Sequence, residues 1–157
     1  MSRLYIGIDP GMAGGIAVLD DSGVVDISVM PATPADILEH LREFAGMAEV
    51  ENMEISAWME DVGRGMPGQS SSATAKFARH CGHLEMALLA AEIPVVTVTP
   101  QKWERSYQLG RSSEYSKTEW KNRLKAKAQQ LFPKNTKQIT LKTADALLIA
   151  EYGRRQS

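Results

Sequence analysis

The chain opens with apolar runs too short for helices. "RLYIGID" and "GGIAVLD" are separated by the stretch Gly11 to Gly14, which predicts two strands paired as a hairpin. "GVVDISVM", opened by the turn "DDSG", predicts a third strand. In "TPADILEHLREFAGMAE" the period changes. Thr33 is placed to cap, Pro34 lies in the first turn, and Ile37, Leu41 and Phe44 follow helical spacing. "MEISAWMEDV" returns to strand character, and the Gly-, Pro- and Ser-rich "GRGMPGQSSS" predicts a loop. A long helix is expected from about Ala73 to Glu92, with Phe77, Cys81, Leu84, Leu88 and Ala91 on its buried stripe. "PVVTVTP" predicts a fifth strand. "SKTEWKNRLKAKAQQLFP" predicts a helix with a capping box, Ser116 with Glu119, and a stripe of Trp120, Leu124, Ala128 and Leu131. A last helix is expected over roughly Leu141 to Tyr152. Strands mixed with helices in this order predict an α/β sheet in one domain spanning residues 1–157.

Composition adds little until it is divided along the chain. At 157 residues and 43% hydrophobic, the protein can bury a core without cross-links. Cys81 is the only cysteine, which excludes an internal disulfide and suggests a reducing cytoplasm. No apolar stretch approaches the roughly 20 residues of a membrane span, and the N-terminus enters a strand too soon for a signal peptide. The formal net charge of −1 conceals an asymmetry: 13 Lys and Arg against 5 Asp and Glu from residue 100 onward, and 5 against 14 before it. A basic C-terminal third is either a solvated, salt-bridged helix or a face toward something anionic. His40, His80 and His83 do not make a plausible zinc set with the one cysteine.

Three acids lack a structural excuse. Asp9 ends the first apolar strand, Glu60 closes "ISAWME", and Asp145 lies in "TADALLIA" on an apolar stripe with Leu141 and Ile149. A buried carboxylate costs several kcal/mol unless it is paired. Two of them about 4 Å apart repel by about 4 kcal/mol at an effective dielectric of 20. Within these segments only Lys142 offers positive charge. A divalent cation with oxygen ligands would resolve the conflict. Two such ions about 4 Å apart can activate a water and stabilise the leaving oxygen of a phosphodiester. Taken singly, each acid is better read as satisfied by backbone donors or caps; the three together, with the basic C-terminal third, reverse that reading.

At this point the chain resembles the RuvC-type Holliday junction resolvases of the ribonuclease H-like superfamily. "IGIDPG" resembles that family's opening strand with its first catalytic Asp, and "WMEDV" the strand that carries its Glu. "SATAKFARHCGHLEMALLAAEIPVVTVTPQKWER" is similar to the following helix, strand and Lys-bearing segment, and "KTADALLIAEYG" to the final helix with its terminal Asp. The loop "MPGQSS" and the compact length look most like phage-encoded members. The resemblance implies a five-stranded mixed sheet flanked by helices, a homodimer, Mg²⁺ (with Mn²⁺ able to substitute), and cleavage of branched DNA such as a four-way junction. It places Asp9, Glu60 and Asp145 on the family's acids, and Lys102 and Lys117 on lysines that contact DNA near the cut.

Two departures stand out. The family usually has a further acid or a histidine three residues before the last Asp, where this chain has Lys142. On a helix, that residue would lie beside Asp145 and could hold a phosphate, donate a proton or replace the charge of one metal. The family's base-unstacking aromatic corresponds to Gly63, with Met66 the nearest apolar candidate in the loop. For the DNA, Lys117, Lys121 and Lys125 form one cationic ridge, Arg123 and Lys127 a second row, and Lys76 and Arg79 a possible extension. The expected activity is a crossover junction endonuclease. The alternatives are a non-catalytic or weakly catalytic branched-DNA-binding protein of the same fold, or a ribonuclease. A two-lobed phosphotransferase is disfavoured by length.

Overall fold

The computed structural model describes residues 2–63 and 68–157. Five strands form one sheet: β1 (Arg3–Asp9), β2 (Gly15–Leu19), β3 (Val24–Val29), β4 (Glu54–Glu60) and β5 (Val95–Val98). Their spatial order is β3-β2-β1-β4-β5. β1, β2 and β3 are antiparallel neighbours, whereas β4 and β5 run parallel to β1. Five helices flank them: α1 (Pro34–Val50), α2 (Ser71–Ala90), α3 (Pro100–Arg105), α4 (Lys117–Leu131) and α5 (Ala144–Arg155). This is the mixed five-stranded sheet flanked by helices that the resemblance implied.

The central strand is covered on both faces, so β1 is apolar almost throughout instead of alternating. Its even positions Leu4, Ile6 and Ile8 pack with Ala57 and Met59 against α1 and α2. Tyr5 and Trp58 face the opposite way, onto α5, α4 and α3. α5 crosses that face so closely that a Cβ on Gly7 would collide with the Ala146 carbonyl and the Ala150 nitrogen. Only glycine at that point of β1 lets the helix down onto the sheet.

Local signals set the helix starts. Thr33 Oγ1 accepts from Asp36 N–H at 3.1 Å, and Ser116 Oγ accepts from Glu119 N–H at 3.1 Å, one arm of the expected capping box. Two expectations need correction. Cys81 is only half-buried, and the side chain α2 buries there is His80. The first turns of α2 border an open cleft, so the apolar stripe is not covered along its whole length. α5 begins at Ala144 and not near Leu141. Thr143 Oγ1 accepts from Thr140 N–H at 2.9 Å and donates to the Gln138 carbonyl at 2.8 Å, which holds residues 140–143 in a turn.

Candidate active site

The register brings two acids together before any helix is considered. β1 and β4 pair in parallel through Ile8↔Met59, so Asp9 and Glu60 are the next residues at the same end. Side chains alternate along a strand. Asp9 therefore shares a face with Tyr5 and Gly7, and Glu60 with Trp58, which is the face α5 covers. Gly14 secures the end of β1, since a Cβ there would strike the Asp9 carbonyl. Asp145 lies in the first turn of α5 on that same face. Asp9 and Glu60 lie at the C-terminal ends of parallel strands, where α/β sheets usually place their sites, and Asp145 lies on the same face of the sheet.

Their electrostatics reflect this. Asp9, Glu60 and Asp145 are each half-buried. Asp9 is pushed well above the usual aspartate range, first by burial and then by the charges of Asp145 and Glu60. Burial raises Glu60 to about 7, aided by Asp145 and Glu104 and opposed by a hydrogen bond from Trp103. That bond runs from Trp103 Nε1 to Glu60 Oε2 at 2.7 Å. Burial also raises Asp145 to about 6. Burial is the first cause of all three shifts, and like charge adds to it at Asp9 and Glu60.

One cation opposes these shifts. Lys121 lowers the pKa of Asp9, Glu60 and Asp145 alike. The sequence places it on the DNA-facing ridge of α4; its charge acts on the acids instead, while Lys117 and Lys125 flank it one turn away on either side. The oxygen-only donor set, short of positive charge, suits a hard divalent cation. As placed, no three His, Cys, Asp or Glu side chains of the described residues surround a single ion position.

The other expected residues are dispersed. Lys142 lies in the turn before α5, exposed, and is in none of the ion pairs among the described residues. The helical i−3 relation to Asp145 therefore does not apply. Lys102 is exposed on α3. Arg123 is occupied locally: its guanidinium donates to the Leu109 carbonyl at 2.8 Å and stacks 4.6 Å from the Tyr115 ring centroid. Lys127 Nζ donates to Gln130 Oε1 at 3.4 Å, and Lys125 is half-exposed. Lys76 and Arg79 border a recess of about 230 Å³ with Met12, His80 and His83. Met66 lies outside the described residues. Beside Glu60 a cleft of about 320 Å³ opens between β4 and α2, lined by Asp61, Thr74, Phe77 and Cys81.

Sequence reasoning misses Glu104. Burial and the charge of Asp145 raise its pKa. In "PQKWERS" it reads as one more exposed helix charge, and nothing local distinguishes it.

No protein-family model matches the sequence, and no curated protein does. Solved structures do match. The Thermus thermophilus RuvC structure superposes with a TM-score of 0.57 at 14% identity, over 98% of this chain and 96% of that one. T. thermophilus RuvC in complex with Holliday junction substrate gives 0.61 at 15% identity, over 99% and 96%. At these identities the likeness is one of fold, and it spans nearly the whole of both chains.

Proposed function

We propose that this chain is a RuvC-type resolvase, a single nuclease domain that nicks four-way or other branched DNA by attack of water on a phosphodiester. The observation that carries this is the convergence of Asp9, Glu60 and Asp145, each with a raised pKa, on one face of the sheet. The fold supports it, since a similar protein was solved with a Holliday junction. Asp9, Glu60 and Asp145 would hold Mg²⁺ or Mn²⁺. When bound, the cations neutralise the phosphate and make a water more acidic.

The chain's own groups do the rest. Trp103 holds Glu60 through Oε2. In the metal-free site burial holds Glu60 near 7, so cation binding there would release protons. Lys121, at the mouth of the site, attracts the phosphate and offsets the acids. Lys117, Lys125 and Lys102 hold backbone phosphates, positioning the DNA without reading it. Two symmetric cuts call for two copies of the site. α2 supplies the subunit contact, and its Met86 and Leu89 are 63% and 70% exposed. No helix of the described residues is long and apolar enough to cross a membrane.

The test is a synthetic four-way junction with Mg²⁺ or Mn²⁺, with linear duplex and RNA–DNA hybrid as controls. Symmetric nicks in the junction alone are expected. Junction binding without nicks at any metal concentration would favour the non-catalytic alternative, which draws on Lys142 standing where relatives carry an acid or a histidine. Preferential cutting of the hybrid would make the chain a ribonuclease.

A further inference from the structure

A recess of about 230 Å³ lies beside the turn that follows Asp9, and Met12 of that turn is 60% exposed at its rim. The other walls come from α1 and α2, which cover the face of the sheet opposite α5. Thr33 and Pro34 bring the start of α1, and α2 brings Lys76, Arg79, His80 and His83. α1 is 17 residues long, so its N-terminus adds partial positive charge here.

The charge runs against the local trend. The first 99 residues hold 14 Asp and Glu and only five Lys and Arg, and two of those five line this recess. Among the described residues no carboxylate lines it, and Lys76 and Arg79 join none of the ion pairs. Asp36, in the first turn of α1, is exposed and not part of the lining.

His80 supplies an independent observation. It lines the recess and is 8% exposed, and its Nε2 has no hydrogen-bond partner among the described residues. A buried polar atom is destabilising unless something pairs with it. Burial and the neighbouring His83 hold its pKa below the usual histidine value. The ring is therefore neutral at pH 7 and donates through one nitrogen.

We propose that this recess seats a phosphate of the DNA backbone, between the charges of Lys76 and Arg79 and against an N–H of His80. DNA supplies the phosphate, because the recess adjoins the turn that leaves Asp9. The assignment rests on the branched-DNA reading above. It gives the DNA a hold on the α2 side of the sheet, where Lys117 and Lys125 act on the α4 side.

The experiment measures four-way junction binding by the full chain against salt concentration, in EDTA. The double variant Lys76→Met, Arg79→Met is expected to flatten the log–log slope by about 0.9, one phosphate's share. A fall of about twice that would give each side chain its own phosphate and overturn the shared recess. His80→Leu should weaken binding roughly tenfold at an unchanged slope, since a neutral donor releases no counterion. Arg42→Met, at an exposed position of α1 outside the recess, should change neither quantity. Inorganic phosphate, titrated while the imidazole resonances are followed by NMR, should shift His80 saturably in the wild type and not in the double variant. If Lys117→Met flattens the slope and the double variant does not, the recess assignment fails while the DNA reading stands. If neither flattens it, the DNA reading fails too. A phosphate-dependent His80 shift with an unchanged junction slope would make this a site for free phosphate and overturn the DNA assignment. Lys76 and Arg79 are exposed, so the double variant tests the recess whether or not His80→Leu folds.

Discussion

Trp103 Nε1 donates to Glu60 Oε2 at 2.7 Å across 43 residues of sequence. The bond ties α3 to the end of β4 and fixes one oxygen of a carboxylate whose pKa is about 7. Hydrogen bonds to charged groups contribute about 1.5–3 kcal/mol. Trp103→Phe keeps most of the ring and removes the donor. Glu60 should then titrate higher, since the bond favours its ionised form. The pH dependence of Mg²⁺ binding is expected to move to higher pH, because a proton must leave Glu60 for the cation to bind, with circular dichroism confirming the fold. An unmoved midpoint would separate Glu60 from the cation site.

Stability should depend on pH in an unusual sense. Glu60 rises from 4.5 to about 7 on folding, and Asp145 from 3.8 to about 6. Between each pair of values the folded chain binds more protons than the unfolded chain, so stability falls as pH rises through that window. In EDTA, Tm should drop by several degrees between about pH 4.5 and pH 7, at roughly 2–4 °C per kcal/mol. Saturating Mg²⁺ should abolish the drop. Scanning calorimetry across this range checks both statements.

Removing one acid should stabilise the metal-free protein while ending its chemistry. Asp9→Asn relieves repulsion with Asp145 and Glu60. Its Tm in EDTA at pH 8 is expected to exceed that of the wild type by a few degrees, roughly 2–4 °C per kcal/mol relieved. Nicking should fall below detection, and junction binding in a gel should persist. Wild-type cutting by this variant would refute the site.

Lys121 and its neighbours on α4 should separate by experiment. Lys121→Met removes the cation that acts on Asp9, Glu60 and Asp145. It should lower Tm in EDTA at pH 8. Lys117→Met and Lys125→Met should leave that Tm unchanged. Each of these two substitutions removes one phosphate-binding charge, which should flatten the log–log salt dependence of junction binding by about 0.9.

Charge on the exposed face of α2 should disrupt the proposed dimer. Met86 and Leu89 are largely exposed there. The double variant Met86→Asp, Leu89→Asp is expected to sediment as a monomer with the wild-type circular dichroism spectrum. An unchanged sedimentation coefficient would place the subunit contact elsewhere.

The strands, the main helices and three of the acids were legible along the chain, because each leaves a local mark. Asp9, Glu60 and Asp145 are charges inside apolar runs, and an acid costs most where its neighbours are apolar. Helix starts at Thr33 and Ser116 were legible for the same reason, since a cap acts within three residues. Tertiary structure decided what lies across from what. The pairing of Ile8 with Met59 puts Asp9 beside Glu60, and Gly7 admits α5 so that Asp145 reaches them. It also decided that Lys121 acts on the acids, that Lys142 precedes the helix, and that Glu104 adjoins the site. Those three sit in stretches of ordinary polar composition. Periodicity reports which side of an element is apolar, whereas Coulomb energy depends on distances between elements, and only register and helix crossing set those.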